Sequence, residues 1–100
     1  MEYAGAGGGK KAGEIKNKKA EFARLIGEYS VLNFMGDRKK CKEFEKSMTE
    51  IIRVLALMAD NKGIGAFLRL QKFKIWFITG DAEAVKYISK LQKDLAQKTL

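Results

Sequence analysis

Histidine is absent from the 100-residue chain, proline is absent, and there is a single cysteine. Each absence excludes a class of chemistry. Without imidazole there is no histidine general base, no histidine zinc site and no Ser-His-Asp triad. One thiol, Cys41, forms no internal disulfide, and its place on an apolar stripe makes it a small core residue. A chain without proline suits long uninterrupted helices. No apolar run reaches the eighteen or so residues of a membrane span, and Met1-Glu2-Tyr3 is followed by glycine and alanine, not by an apolar signal segment. The expectation is an intracellular, cytoplasmic protein with no membrane partner. Acidic residues are also scarce, with Asp+Glu 12 against Lys+Arg 20, a net charge of +8. That balance attracts polyanions, nucleic acid first.

What remains is apolar periodicity. The most apolar stretch, 64–80, holds the only tryptophan and three of the six phenylalanines. Read as a helix, it puts Ala66, Leu70, Phe73 and Phe77 on one stripe at 4-3-4 spacing. Ile64, Leu68 and Ile75 fall on another side, with Gln71 between them. The first stripe is the expected core; the second, with Trp76, is an expected contact for a partner. Strand-like alternation in Leu68-Arg69-Leu70 and Phe73-Lys74-Ile75 competes with this reading, but the length favours helix.

Around this element the chain predicts an all-α, four-helix bundle built from two hairpins. Residues 1–13 are glycine-rich and are expected to form a flexible basic arm ending in Lys10 and Lys11; residues 14–100 form one domain. Ala4, Gly9 and Lys10 half resemble a phosphate-binding loop, but no strand precedes them and Lys11 stands where Ser or Thr would hold magnesium. Helix one is predicted over 14–35 on Ile15, Phe22, Leu25, Ile26, Tyr29 and Leu32. Gly27 inside it suggests a close helix crossing. Gly36-Asp37 caps one helix and starts the next. Helix two follows on Cys41, Phe44, Met48, Ile51, Ile52, Leu55 and Met58, with Val54 and Leu57 facing elsewhere as further partner contacts. Asp60 to Gly63 reads as a turn, and Gly80-Asp81 opens the last helix on Val85, Ile88, Leu91 and Leu95.

A slip of 44 residues superposes the two Gly-Asp turns and pairs Tyr29 with Phe73, Lys42 with Lys86, Phe44 with Ile88 and Lys46 with Lys90. The lysines and arginines recur at helical spacing. Lys16, Lys18 and Lys19 crowd the start of helix one, where cations gain nothing from the helix dipole. Lys39, Lys42, Lys46 and Arg53 line helix two, Arg69 and Lys72 flank Trp76, and Lys86, Lys90 and Lys93 line helix four. These residues are the candidate nucleic-acid contacts. They suit a phosphate backbone better than base edges, since only four arginines are present. A base could also stack on Trp76. No clustered carboxylates, activated hydroxyls or metal-ligand sets accompany them, so neither catalysis, a cofactor nor a small-molecule substrate is expected.

Leu70–Asp81 (LQKFKIWFITGD) and Ala84–Leu91 (AVKYISKL) resemble the last two helices of the small helical subunit of multi-subunit CRISPR effector complexes, especially the archaeal type I-A form. The resemblance covers about a third of the chain and carries no binding residue across. It implies a non-catalytic subunit, present in several copies beside the guide–target duplex, touching its neighbours by apolar patches and offering lysines to nucleic acid. The lysine-rich, histidine-free composition suits a thermophilic source. Two other readings stand beside it. The Gly-Asp turns resemble those of tetratricopeptide adaptors, although a period of 44 exceeds their usual 34 or so. A small basic DNA-binding regulator is the third.

Overall fold

The structure, a computed structural model, describes the backbone of residues 5–98 and the side chains of 11–98. Four α-helices account for nearly all of it: α1 Gly5–Met35, α2 Arg38–Met58, α3 Asn61–Ile78 and α4 Ala82–Gln97. No strand occurs among the described residues. The pairs α1–α2 and α3–α4 pack most closely, giving two helical hairpins in one bundle.

The helices stop where the chain chemistry stops them. Gly36 and Gly80 both adopt positive φ, at 77° and 64°, which a glycine adopts without a Cβ clash. The residues after them cap the following helices: Asp37 accepts the Lys40 amide at 3.2 Å and Asp81 accepts the Glu83 amide at 3.1 Å. The two turns are not copies. The bond closing five residues back comes from the Asp37 amide to Leu32 in the first, and from the Gly80 amide itself to Ile75 in the second. Between the hairpins Asp60 accepts the Gly63 amide at 2.6 Å, so Asn61 to Gly63 form the first turn of α3, not the loop their composition suggests.

Helix α1 begins at Gly5, well before the expected start at 14. Extending a helix avoids the cost of nucleating one, and residues 14–35 supply the nucleus. The added turns bury little. Residues 11–14 are exposed, and full burial starts only at Phe22. Gly27 marks no helix crossing, because a Cβ built there meets nothing within 4 Å.

The core unites Phe22, Leu25, Ile26 and Tyr29 of α1, Cys41, Met48, Ile51, Ile52 and Leu55 of α2, and Ala84, Tyr87, Ile88, Leu91 and Leu95 of α4. The contribution of α3 reverses the expectation. Ile64 and Leu68 are 0% exposed and Ile75 6%, whereas Leu70, Phe73 and Phe77 are 51%, 57% and 83% exposed. The helix is indeed apolar on two sides, but the stripe expected to be core faces outward. Ile64, Leu68 and Ile75, expected as partner contacts, are inside the bundle. Phe67 flanks the buried stripe and meets Phe22 edge-on at 5.7 Å between centroids.

A polar seam crosses this core. The Tyr29 hydroxyl donates to the Glu45 carboxylate. The Tyr87 hydroxyl donates to the Glu45 carbonyl at 2.8 Å and lies 2.7 Å from Thr49 Oγ1, so that hydroxyl is left as the donor to Tyr87. Cys41 Sγ donates to Asn33 Oδ1 at 3.1 Å, and Asn33 Nδ2 donates to Asp81 at 3.0 Å. Tyrosine, asparagine and carboxylate groups from α1, α2 and the start of α4 thus fix how the two hairpins face each other.

Candidate nucleic-acid interface

The outward faces of α2 and α4 meet in an open groove of about 580 Å³. Its walls carry Lys42, Lys46 and Arg53 from α2 and Lys90 from α4; Thr49 and Tyr87 lie at the same level. The i, i+4 and i+11 spacing of Lys42, Lys46 and Arg53 brings the α2 cations to one side of the helix. Lys90 reaches the same groove because it lies one turn beyond Tyr87, whose hydroxyl is tied to α2.

Two carboxylates share the groove, Glu45 and Glu50. Glu50 is taken by Arg53 at 2.6 Å, and Glu45 accepts the Tyr29 hydroxyl from inside the bundle. Among the described residues, Lys42, Lys46 and Lys90 have no carboxylate within ion-pair distance. Four cations against two carboxylates, both already engaged, leave a groove of net positive charge. The Tyr87 hydroxyl stays neutral there: burial, with the Glu45 charge adding and the Thr49 hydrogen bond opposing, pushes its pKa up to about 12.

The other sequence-predicted cations separate into groups. Lys39 and Lys93 are exposed on α2 and α4. Lys86 is exposed too, with Glu83 at 3.9 Å. On α1, Lys16 is exposed, but Lys19 lies over the Phe67 ring, 5.6 Å from its centroid, and Lys18 lies beside Glu14 and Glu21. The α1 lysines therefore do not join the α2–α4 groove. Lys11 is exposed, and Lys10 lies outside the described side chains. On α3, Lys72 donates to Gln92 at 3.1 Å and so serves the contact with α4, leaving Arg69 and Trp76 as the outward pair. Of the expected partner contacts, Leu57 is 83% and Trp76 58% exposed, and Val54 is half-buried.

Sequence reasoning found the cations but missed Glu45, Thr49 and Tyr87, which shape the groove between them. Tyr87 carried a signal: a tyrosine beside Ile88 on a core stripe needs a partner for its hydroxyl. Among the described residues no group of His, Cys, Asp and Glu is placed to hold a metal, and no helix is long and apolar enough to cross a membrane. No protein-family model, curated protein or solved structure matches the chain.

Proposed function

We propose that the chain binds the sugar–phosphate backbone of nucleic acid in the α2–α4 groove, with weak sequence preference and without catalysis. The observation that carries this is the convergence of Lys42, Lys46 and Lys90, none of them neutralised by a carboxylate among the described residues, with Arg53 on one groove. Lysines supply point charges to phosphates and few directional contacts to base edges, so affinity exceeds specificity. The exposed apolar residues of α3 support a place within a larger assembly, and the CRISPR small-subunit resemblance is the specific form of that reading: a subunit lining the guide–target path.

The test is fluorescence anisotropy with labelled single-stranded RNA, single-stranded DNA and duplex over a salt series. Three phosphate contacts predict a loss of roughly 20- to 40-fold between 50 and 200 mM salt. Reversal of Lys42, Lys46 and Lys90 to Glu abolishes binding with helix content kept. Salt-independent binding, or none at 50 mM, rejects the proposal. A protein-only complex on native purification favours the adaptor reading; co-purifying RNA favours the effector subunit.

A further inference from the structure

Helix α3 carries two stripes of identical spacing. Ile64, Leu68, Gln71 and Ile75 are buried at 4-3-4; Ala66, Leu70, Phe73 and Phe77 repeat 4-3-4 two residues later and are exposed. Two residues turn an α-helix through about 200°, so the stripes lie back to back. The inner seam packs on this chain's own helices. The outer one has the alternating three-and-four register by which a helix pairs with another helix. It runs about 17 Å, three turns, along the outside of the bundle.

The flanks of the outer seam say what kind of helix fits. In heptad terms Leu70 and Phe77 are a positions and Ala66 and Phe73 are d positions; Phe67 takes one e position and Trp76 one g position, and the charged flanks are Arg69 at g and Lys74 at e. Both are exposed, and neither has a carboxylate within ion-pair distance among the described residues. Residues 61–78 contain Lys62, Arg69, Lys72 and Lys74 and no acid at all. A second copy of α3 would meet like charge in either orientation. Parallel pairing sets Arg69 against Lys74, and antiparallel pairing sets each beside its own kind; like charges at these positions disfavour pairing. Trp76, exposed at the g position beside Phe77, widens the seam at its C-terminal end to the a, d and g face by which one helix packs on another.

We propose that this outer seam of α3 docks an amphipathic helix of a different protein, one with apolar a and d residues and glutamate or aspartate on its flanks. This goes beyond the nucleic-acid reading and uses another face of the molecule, with Arg69 and Lys74 selecting the partner by charge.

The probes are two synthetic helices of about three heptads with leucine at a and d, differing only in Glu or Lys at e and g. Titrated against the full chain, the Glu helix binds at least tenfold more tightly than the Lys helix. Leu70→Gln with Phe73→Gln lowers that affinity tenfold or more with unchanged circular dichroism, and the single change Phe77→Lys, at the more exposed of the two seam phenylalanines, repeats the loss. Arg69→Glu with Lys74→Glu inverts the preference. Lys42→Glu with Lys46→Glu leaves peptide binding in place, which separates this seam from the groove. Equal affinity for both helices, binding that survives loss of Leu70 and Phe73, or no binding of either helix overturns the proposal. So does sedimentation showing a dimer that the seam variants dissolve, or seam-dependent retention on phosphatidylserine vesicles in place of peptide binding.

Discussion

Two buried hydroxyl systems show how single residues set stability here. Tyr29 and Tyr87 meet with their rings tilted at 45°, 5.5 Å between centroids, and burial raises both phenol pKa values, that of Tyr87 to about 12. In the unfolded chain a tyrosine titrates near 10. The folded state therefore holds these protons more tightly than the unfolded state, so the stabilisation is complete below about pH 10 and is lost as pH rises toward the folded value. An alkaline titration followed at once by phenolate absorbance and circular dichroism should show these two phenols ionising together with loss of helix. Ser30 is the opposite case. Its Oγ is buried with no hydrogen-bond partner among the described residues, so its desolvation is uncompensated. Ser30→Ala is expected to stabilise by about 1 kcal/mol, read as a shift in the urea midpoint at constant slope.

At the scale of elements, the decisive fact is which side of α3 faces in, and a paired substitution reads it directly. Leu68→Ala should cost about 2–5 kcal/mol, as a fully buried leucine does, while Leu70→Ala, two residues away, should cost under about 0.5 kcal/mol. Equal costs would mean that the outer stripe is covered within the chain. Gly27→Ala belongs to the same scale. The glycine is helical and a Cβ there has open space, so the variant should gain up to about 1 kcal/mol of thermal stability. Four helices, two hairpins and both capping turns were legible from Gly36-Asp37, Gly80-Asp81 and the apolar periods. The facing of α3 was not, because both of its stripes have the same spacing and the aromatic one looks more like core. The 44-residue repeat misleads at the same place. It lays buried Phe22, Ile26 and Tyr29 on exposed Ala66, Leu70 and Phe73. The repeat holds in the placing of the two Gly-Asp turns, although these close one residue apart, and fails in the facing of α1 against α3. Within the groove the cations were legible as rows. The seam that draws Lys90 toward α2 depends on tertiary bonds among Tyr29, Glu45, Thr49 and Tyr87, which no period encodes.

For the whole molecule, charge decides whether the lysine rows are structural or await a ligand. The resolved ion pairs among the described residues are short-range and exposed: Arg24–Glu28, Arg53–Glu50 and Lys86–Glu83, each within one helix. Such pairs contribute little and are screened by salt. A net charge of +8 on a chain of 100 residues repels itself, so the cations cost stability and return little through pairing. Reversing Lys42, Lys46 and Lys90 to Glu changes the charge by six, from +8 to +2. None of the three forms an ion pair in the described structure, so that variant should unfold at a slightly higher temperature than the parent in low salt, by no more than about 1 kcal/mol. Added sodium chloride should raise the parent's melting temperature and narrow the gap, as screening removes the repulsion. The same substitutions should abolish polyanion binding. Stability and affinity then move in opposite directions, as they do when a surface keeps unfavourable charge for an external partner. If the variant instead melts lower and loses helix, the lysines hold the bundle together, and the groove is not a nucleic-acid site.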